Sequence, residues 1–327
     1  MSRPSPAVSQ HFGFLLLPNV ALMSLAAATE PLRAANLIAG DALYRVTLCS
    51  TDGRPVATSG GLPLPCAPLA GLRDLHTLFV CAAGGPGDWT DPALAPQLRR
   101  LAREGVRLGG ISGGPYLLAA AGLLAGRDFT LHWEHAAALA EAFPDLAPRP
   151  ARFVIDGDRI TCGGGVAPLD MMHALIAARM GPAFARAVSD WFLHTAVSEP
   201  GDPQRAGAAE RFGSHRPALL AALEAMEAAL ETPLSRAAVA RAAGVSPRHL
   251  DRLFAAEFGT SWTAVYMRLR LAHAARLLRQ SPLSLAQVAY AAGFSSPSHF
   301  SRAFRAAYGA PPGAWRRRLE GGGPPQP

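Results

Sequence analysis

The sequence predicts two domains of different fold class: an α/β domain with a mainly parallel sheet over residues 12–197, and an all-α domain with two helix-turn-helix motifs over residues 217–318. Strand and helix patterns alternate through the first range, which is typical of a parallel sheet covered by helices on both faces. The last hundred residues repeat themselves. Residues 211–327 hold 15 Arg against 6 acidic residues, whereas residues 1–210 hold 16 against 18. Only the second domain therefore has the charge of a polyanion binder.

Composition limits the class of protein. With 327 residues, half of them apolar, the chain is long enough for one large and one smaller domain. The apolar run 12–28 is divided by Pro18-Asn19, which favours a strand and a helix over a signal peptide, and no stretch approaches the roughly 20 apolar residues of a membrane span. The cysteines lack metal-ligand spacing, so we expect a cytoplasmic protein without disulfides, metal or cofactor. They are Cys49, Cys66, Cys81 and Cys162.

The elements of the first domain follow from apolar runs and the breakers between them. They are a strand at Phe12–Leu17, a helix at Ala21–Ile38, strands at Tyr44–Cys49, Leu78–Ala83 and Arg107–Ile111, and a helix from Gly113. Residues 198–216 are rich in Pro, Gly and charge and are predicted to be the linker. Residues 1–11 and 319–327 are predicted to be disordered ends.

Two glycine turns follow predicted strands, at residues 83–88 and 111–116. Ligands bind at the ends of strands in open α/β sheets. Ser112 stands between a strand and a helix, which is the arrangement of a nucleophile elbow. Such a turn directs one side chain and several backbone N–H groups toward the same point. The sequence therefore predicts a small-molecule site at this edge of the sheet.

In the second domain, Leu234–Gly244 returns as Leu283–Gly293, and Ser246–Gly259 returns as Ser296–Gly309. In each copy a short apolar helix is followed by a tight turn and by a second helix that Ser-Pro opens, with serine as N-cap and proline in the first turn. Helical spacing places apolar residues on one face of each second helix and polar ones on the other. The outward residues are Arg248, Asp251, Arg252 and Ala255 in the first copy, and Ser298, Ser301, Arg302 and Arg305 in the second.

The repetition of this layout at one spacing is a stronger signal of DNA binding than the charge of either helix alone. Any surface helix carries charges, but the same layout twice points to two helices that enter DNA major grooves. Thr263–Gln280 has no breaker and is predicted to be one helix of about 27 Å, which can hold both in successive grooves about 34 Å apart. A helix at Pro217–Leu230 precedes the first copy.

Residues 218–318 resemble the AraC/XylS-type DNA-binding domain. The resemblance rests on the connector pattern, on the second copy and on the closing segment, namely Arg270, Leu271, Ala274, Leu277, Leu278, Gly293, Phe294, His299, Phe300, Arg302, Phe304, Arg305, Gly309, Pro312, Trp315 and Arg316. It implies that Arg248, Asp251, Arg252, Ser298, His299 and Arg302 contact bases. Ser246, Ser296 and Arg305 are then expected to bind phosphates, and Ser301 shares their surface.

The first domain resembles the amidase-like ThiJ/PfpI fold, which is related to class I glutamine amidotransferases and is flavodoxin-like. The matching segments are Ile111–Tyr116, Ala121–Gly126 and Leu131–Trp133. The order of the two domains resembles regulators of the GlxA type, as do the segments Glu30–Asn36, Thr161–Asp170 and Asp202–Arg205. The resemblance implies a ligand-responsive transcription factor.

The resemblance also bears on catalysis. The family nucleophile is an elbow cysteine, where this chain has Ser112, and the family acid aligns with Ser24. A serine alcohol is a poorer nucleophile that needs a general base. We therefore predict a pseudoenzyme domain that binds without turnover. The alternative is a serine-dependent amidase or hydrolase with a DNA-binding appendage, in which His132 is the base and Glu134 orients it. His132 is equally well explained as a structural histidine.

The predicted pocket suggests an effector class. Backbone N–H groups favour a carboxylate, and aromatic rings with a nearby acid favour a cationic amine. The residues are Gly84, Gly85, Ser112 and Gly113 for the carboxylate, and Trp89, Trp133 and Glu134 for the cation, with Ser24 and His132 beside them. Either tryptophan is also explained as a core or interface residue.

The resemblance implies partners as well. Regulators of this architecture sense nitrogen metabolites such as arginine, carnitine or glycine betaine, pair through the α/β domain, and activate transcription with RNA polymerase. The expected partners are double-stranded promoter DNA, a small effector, RNA polymerase and a second copy of the chain.

Overall fold

The computed structural model describes residues 8–320, with side chains up to Arg318. The chain divides into two compact units after Gln204. Of the ends predicted to be disordered, residues 1–7 and 321–327 lie outside the described residues. The first strand begins at Gln10, before the predicted domain start at residue 12, and the last helix ends at Glu320.

The first unit alternates strands and helices. Its strands are β1 (Gln10–Leu16), β2 (Tyr44–Ser50), β3 (Val56–Ala57), β4 (Pro63–Leu64), β5 (Ala67–Pro68), β6 (Thr77–Ala82), β7 (Arg107–Ser112), β8 (Phe153–Asp156) and β9 (Arg159–Cys162). Its helices are α1 (Leu22–Ala39), α2 (Leu94–Arg103), α3 (Gly114–Ala120), α4 (Ala136–Ala142), α5 (Ala167–Met180) and α6 (Pro182–Trp191). The strands and helices predicted for this unit are all present, within two residues of their predicted ends.

Seven strands form one sheet in the order β5-β2-β1-β6-β7-β9-β8. All neighbours are parallel except β8, which pairs antiparallel with β9. The prediction of a mainly parallel sheet is confirmed. Ala82 pairs with Ser112 in register, so the two glycine turns leave adjacent strands at the same level. That edge is where open α/β sheets bind ligands.

Apolar layers cover both faces of the sheet. Alternate side chains of β1 and β6 enter opposite layers: Phe14 and Phe79 pack beneath α1 and α5, whereas Leu15 and Val80 pack beneath α2 and α3. Central strands buried on both faces require the near-continuous apolar runs that the sequence has there. Asn36 of α1 makes hydrogen bonds to both the N–H and the carbonyl of Tyr44, which fixes the start of β2.

The second unit is helical. It comprises α7 (Ala208–Phe212), α8 (Pro217–Ala228), α9 (Arg236–Ala242), α10 (Pro247–Phe258), α11 (Trp262–Gln280), α12 (Leu285–Ala291), α13 (Pro297–Tyr308) and α14 (Pro312–Glu320). The segment predicted to be the linker, residues 198–216, contains α7 and the last residues of the first unit. The hydroxyls of Ser246 and Ser296 accept the backbone N–H of His249 and His299, which is the N-cap predicted for each second helix.

One turn of α11 fixes both helix-turn-helix copies. The Tyr266 hydroxyl donates to the carbonyl of Ala229 at 2.5 Å and accepts the N–H of Leu234 at 3.1 Å, which binds the loop before α9. Four residues on, Arg270 donates to the carbonyls of Ala292 and Gly293 at 2.9 and 2.6 Å, at the end of α12. Residues four apart lie on one helix face, so this face holds both copies.

The turn of the second copy also packs against the loop before the first. Gly293 has φ +74°, and a side-chain carbon there would overlap the carbonyl oxygen of Leu230 and lie 2.7 Å from Cγ of Pro233. Gly244 is the equivalent turn residue in the first copy and has φ +66°. A side-chain carbon added there would have no atom within 4 Å. The two glycines therefore share one backbone conformation and differ in their surroundings.

We expect Gly293→Ala to destabilise the second unit by about 1–3 kcal/mol more than Gly244→Ala. Both variants bear the left-handed strain of about 1–2 kcal/mol, but only Gly293→Ala forces two backbones apart. Urea unfolding of the full chain measures the difference, and hydrogen exchange in α11 assigns it to this unit. Equal losses in the two variants would contradict the packing described.

Candidate functional site

The outward face of α10 carries the residues predicted to read the first half-site. Arg248 and Arg252 are exposed, and with Ser246, His249 and Asp251 they line a shallow open groove on the helix surface. The buried residues of α10, Leu250, Leu253 and Phe254, anchor it to α8, α9 and α11. The apolar side therefore fixes the helix, and the polar side faces outward.

Two contacts on this face were not predicted. Arg236 of α9 forms an ion pair with Asp251 and donates to the carbonyl of Pro247 at 3.2 Å. Arg252 contacts Nδ1 of His249 at 2.8 Å. Asp251 is thus engaged by its own domain, and a cytosine amino group would compete with Arg236. Sequence reasoning missed Arg236 because it lies fifteen positions earlier, on the supporting helix.

The outward face of α13 is arranged in the same way. Ser298, His299, Arg302 and Arg305 are exposed and Ser301 is half-buried, whereas Phe300 and Phe304 are buried. The His299 ring packs edge-on against Phe294, with centroids 5.5 Å apart. Each of the two helices therefore gathers its predicted DNA-contacting residues on one surface.

In the first unit, the elbow has the strained backbone that its position predicts. Ser112, the last residue of β7, has φ +61°, a region that residues with side chains rarely adopt. Gly113 donates to the carbonyl of Ala82 at 2.9 Å, and His132 donates to the carbonyl of Ser112 at 3.1 Å. The elbow thus joins β6, α3 and the segment that begins at His132.

A small cavity of about 200 Å³ lies beside the elbow. Its walls are His132, Trp133, Arg152, residues 163–167 and Gln204. Ser112 is 9% exposed and lies behind Gly164, where a side-chain carbon would stand 2.7 Å from Cβ of Ser112. Of the predicted ligand residues, His132 and Trp133 therefore line the cavity. Ser112 contacts residues 163–165, which we call the glycine turn of the cavity.

Ser24 is buried at 2% exposure and accepts the N–H of Gly165 at 2.8 Å. Where the family resemblance places an acid, this chain has a hydroxyl that holds the glycine turn. His132 is the N-cap of a short helical turn, and its Nδ1 accepts the N–H of Glu134 at 3.3 Å. The Nδ1 lone pair of His132 is thus used within its own turn.

The first glycine turn is not brought to the cavity. The carboxylate of Asp88 accepts the N–H of Gly85 at 3.0 Å and lies against Gly84. Trp89 is buried, and its indole N–H donates to the carbonyl of Ala83 at 2.8 Å. Gly113 packs on the Trp89 ring. The alternative interpretation of Trp89 as a core residue therefore applies, and Gly84 and Gly85, which were expected to contact a ligand, contact Asp88 in this structure.

A buried ion pair forms one side of the cavity. Arg152, with its side chain 18% exposed, donates to Asp170, with its side chain 0% exposed, at 2.7 and 3.0 Å. Asp170 also accepts from His194 at 2.7 Å and from the N–H of Ser198 at 3.0 Å. A buried charge needs such partners. Arg152 is the cationic group of the cavity, and sequence reasoning missed it because it follows no motif.

Cys162, a thiol next to the cavity, is buried and not activated. Cys162 ends β9 next to Gly163 and is fully buried. Burial raises the pKa of Cys162 to about 12, although backbone N–H groups of Gly164 and Ser112 act in the opposite sense. A thiol with that pKa is protonated at neutral pH, and only the thiolate is a nucleophile.

Among residues 8–320, no helix is long and apolar enough to cross a membrane, and no His, Cys, Asp and Glu cluster suits a metal ion.

Comparisons with known proteins agree with both units. The helix-turn-helix domain family matches residues 239–318, and the DJ-1/PfpI family matches residues 14–178. The chain is 61% identical to the HTH-type transcriptional regulator GlxA of Rhizobium meliloti (strain 1021) over 94% of this chain and 96% of that protein. It is 43% identical to the HTH-type transcriptional regulator CdhR of Pseudomonas aeruginosa over 93% of this chain and 91% of that protein.

A crystal structure of an AraC family transcriptional regulator from Pseudomonas putida aligns with a TM-score of 0.53 at 29% identity, covering 56% of this chain and 99% of that chain. The fold and its two reading helices define a DNA-binding transcriptional regulator. The chain belongs to the family of GlxA-type regulators, in which a DJ-1/PfpI domain precedes an AraC-type helix-turn-helix domain.

We expect Asp170→Asn to destabilise the first unit by about 3–5 kcal/mol, because it leaves the Arg152 charge without its counter-ion at a mostly buried position. Asp128→Asn is the control, since Asp128 pairs with Arg149 at an exposed position. Thermal unfolding of the full chain measures both. A similar small change in the two variants would show that the Arg152 pair contributes no more than a surface pair.

Proposed function

We propose that the DJ-1/PfpI domain is a sensor that binds a small metabolite without turnover and controls DNA binding by the second unit. The observation that carries this proposal is the state of the elbow. Ser112 is mostly covered, the hydroxyl at the acid position is bonded to Gly165, and the Nδ1 of His132 accepts a backbone N–H. These contacts support binding without the chemistry that a serine nucleophile requires, in a domain that has a cavity beside the elbow.

The effector we propose is a compact zwitterion with a carboxylate and a cationic nitrogen. The cavity volume of about 200 Å³ equals roughly seven water molecules at about 30 Å³ each, which suits an amino acid or betaine. Arg152 supports a carboxylate and the Trp133 ring supports a cation. Asp170 already neutralises part of the Arg152 charge, so a ligand with no net charge fits better than an anion.

At the DNA, we propose that Arg248, Arg252 and Arg302 contact base edges and that Arg305 and the capping serines bind phosphates. An arginine side chain pairs with guanine through two hydrogen bonds. Ser246 and Ser296 use oxygen lone pairs in the caps, and each hydroxyl keeps a proton to donate. We also propose that the protein is a homodimer and an activator that contacts RNA polymerase, as the resemblance implies.

We expect glycine betaine, carnitine or arginine to raise the melting temperature of the wild-type chain and to be recovered unchanged. At 100 times its dissociation constant a ligand adds about 2.7 kcal/mol of stability. Choline, which has the cation of betaine without the carboxylate, is the matched control and should give a smaller shift. Ser112→Ala should keep the ligand response and the DNA affinity. Hydrolysis of the arginine guanidinium or of an amide analogue of these ligands, lost in Ser112→Ala, would instead support the serine hydrolase.

We expect Arg302→Ala to cost about 1–3 kcal/mol of discrimination between the preferred duplex and a single-base variant. The duplex is selected by the wild-type protein from random DNA, and binding is measured at fixed salt. Arg241→Ala removes an equal charge from α9, outside the predicted reading faces, and should weaken both duplexes equally. Unchanged discrimination in Arg302→Ala would place the reading surface elsewhere.

A further inference from the structure

The last residues of the first unit form part of the cavity wall. Residues 198–204, which we call the exit segment, lead directly into the second unit at Arg205. Three contacts dock the exit segment beside the cavity. Ser198 donates its N–H to Asp170, Pro200 accepts the N–H of Arg152 at 3.0 Å, and the side chain of Gln204 enters the wall itself.

Gln204 uses its whole amide in this position. Its oxygen accepts the N–H of Trp133 at 2.9 Å. Its nitrogen donates to the Thr130 hydroxyl at 3.1 Å and lies within hydrogen-bond distance of the carbonyls of Leu131 and Ala151, at 2.9 and 2.6 Å. An amide with both ends engaged in a half-buried site is held in one orientation.

The opposite side of the Gln204 amide touches the glycine turn of the cavity. A side-chain carbon on Gly163 would lie 2.6 to 2.8 Å from three atoms of that amide. Gly163 is not among the glycines with positive φ, so an alanine there meets no backbone strain. The cavity is therefore complete only while Gln204 is docked, and anything that moves the turn toward Gln204 displaces it.

We propose that Gln204 is the positioning residue through which the cavity controls the exit segment. A molecule in the cavity contacts the walls that Gln204 completes, so it binds the docked state more tightly and shifts the population toward it. Docking fixes the chain up to residue 204, and undocking frees residues 198–204 and lengthens the flexible connection to the DNA-binding unit. This inference rests on the proposed sensor function and names the route by which its signal leaves the cavity.

The test perturbs the cavity from both sides and measures hydrogen exchange along the full-length chain without ligand. Gln204→Ala removes the docking side chain, and Gly163→Ala pushes it out with one methyl group. Each should raise exchange in residues 198–204 by about tenfold or more, since local opening replaces a docked segment. The double variant should exchange no faster than Gln204→Ala, because the added methyl then has nothing to displace.

Gly87→Ala is the matched control, since Gly87 has ordinary backbone geometry and no atom within 4 Å of the added carbon. It should leave the exit segment unchanged. A purely structural role of Gln204 would raise exchange in β1 and β6 as well, whereas the proposed role confines the increase to residues 130–133, 151–153 and 198–204. Unchanged exchange of the exit segment in both single variants, or a double variant equal to the product of the two, would overturn the inference.

Binding to the selected duplex separates this inference from the proposed function. Gln204→Ala and Gly163→Ala should change specific affinity in the same direction by about threefold or more, with Gly87→Ala at the wild-type value. If the wild-type chain prefers no duplex, the proposed function fails whatever the exchange shows. If it binds specifically and both variants bind as it does, Gln204 does not carry the signal, and only the inference fails.

Discussion

A side-chain carbon on Gly114 would overlap the carbonyl oxygen of Val80, and one on Gly110 would lie 2.5 Å from the amide nitrogen of Pro115. Helix α3 therefore starts directly against β6 and β7, and the elbow at Ser112 lies at the sheet edge, behind the glycines that line the cavity. The second unit uses the same constraint at Gly293, where the turn of one copy meets the loop of the other. Both functional surfaces depend on approaches between backbones that any side chain would prevent.

The elbow has a strained backbone, and this chain has a serine there where the family resemblance places a cysteine. Holding a residue with a side chain in this region costs of order 1–3 kcal/mol, so its surroundings must impose it. Here the surroundings are the bonds of Gly113 to Ala82 and of His132 to Ser112, together with the contact of Gly164 on the Ser112 side chain. The strained turn holds the His132 segment and residues 163–165 around the cavity, so the elbow shapes the cavity whatever chemistry Ser112 has.

The sequence was sufficient wherever one segment contains the whole signal. The apolar runs of β1 and β6, the capping serines and the break-free α11 each follow from local pattern. The short strands β3 to β5 did not, because two residues show no periodicity. Arg152 and Gln204 were also missed, since four segments separated by up to 70 residues build the cavity and only packing brings them together. The contact of Asp88 with the first glycine turn was missed for a related reason: its carboxylate accepts the Gly85 N–H that was expected to face a ligand.

The two reading helices share a layout but differ in chemistry. On α10, Asp251 pairs with Arg236, so if it accepts a base amino group, as the resemblance implies, Arg236 competes for the same carboxylate. Both partners are about half exposed, so the pair is weak and is exchanged at low cost. The outward serines of α13, Ser298 and Ser301, carry no charge, so an anionic acceptor of this kind belongs to the first helix. The two copies therefore share one layout and present different groups on their outward faces.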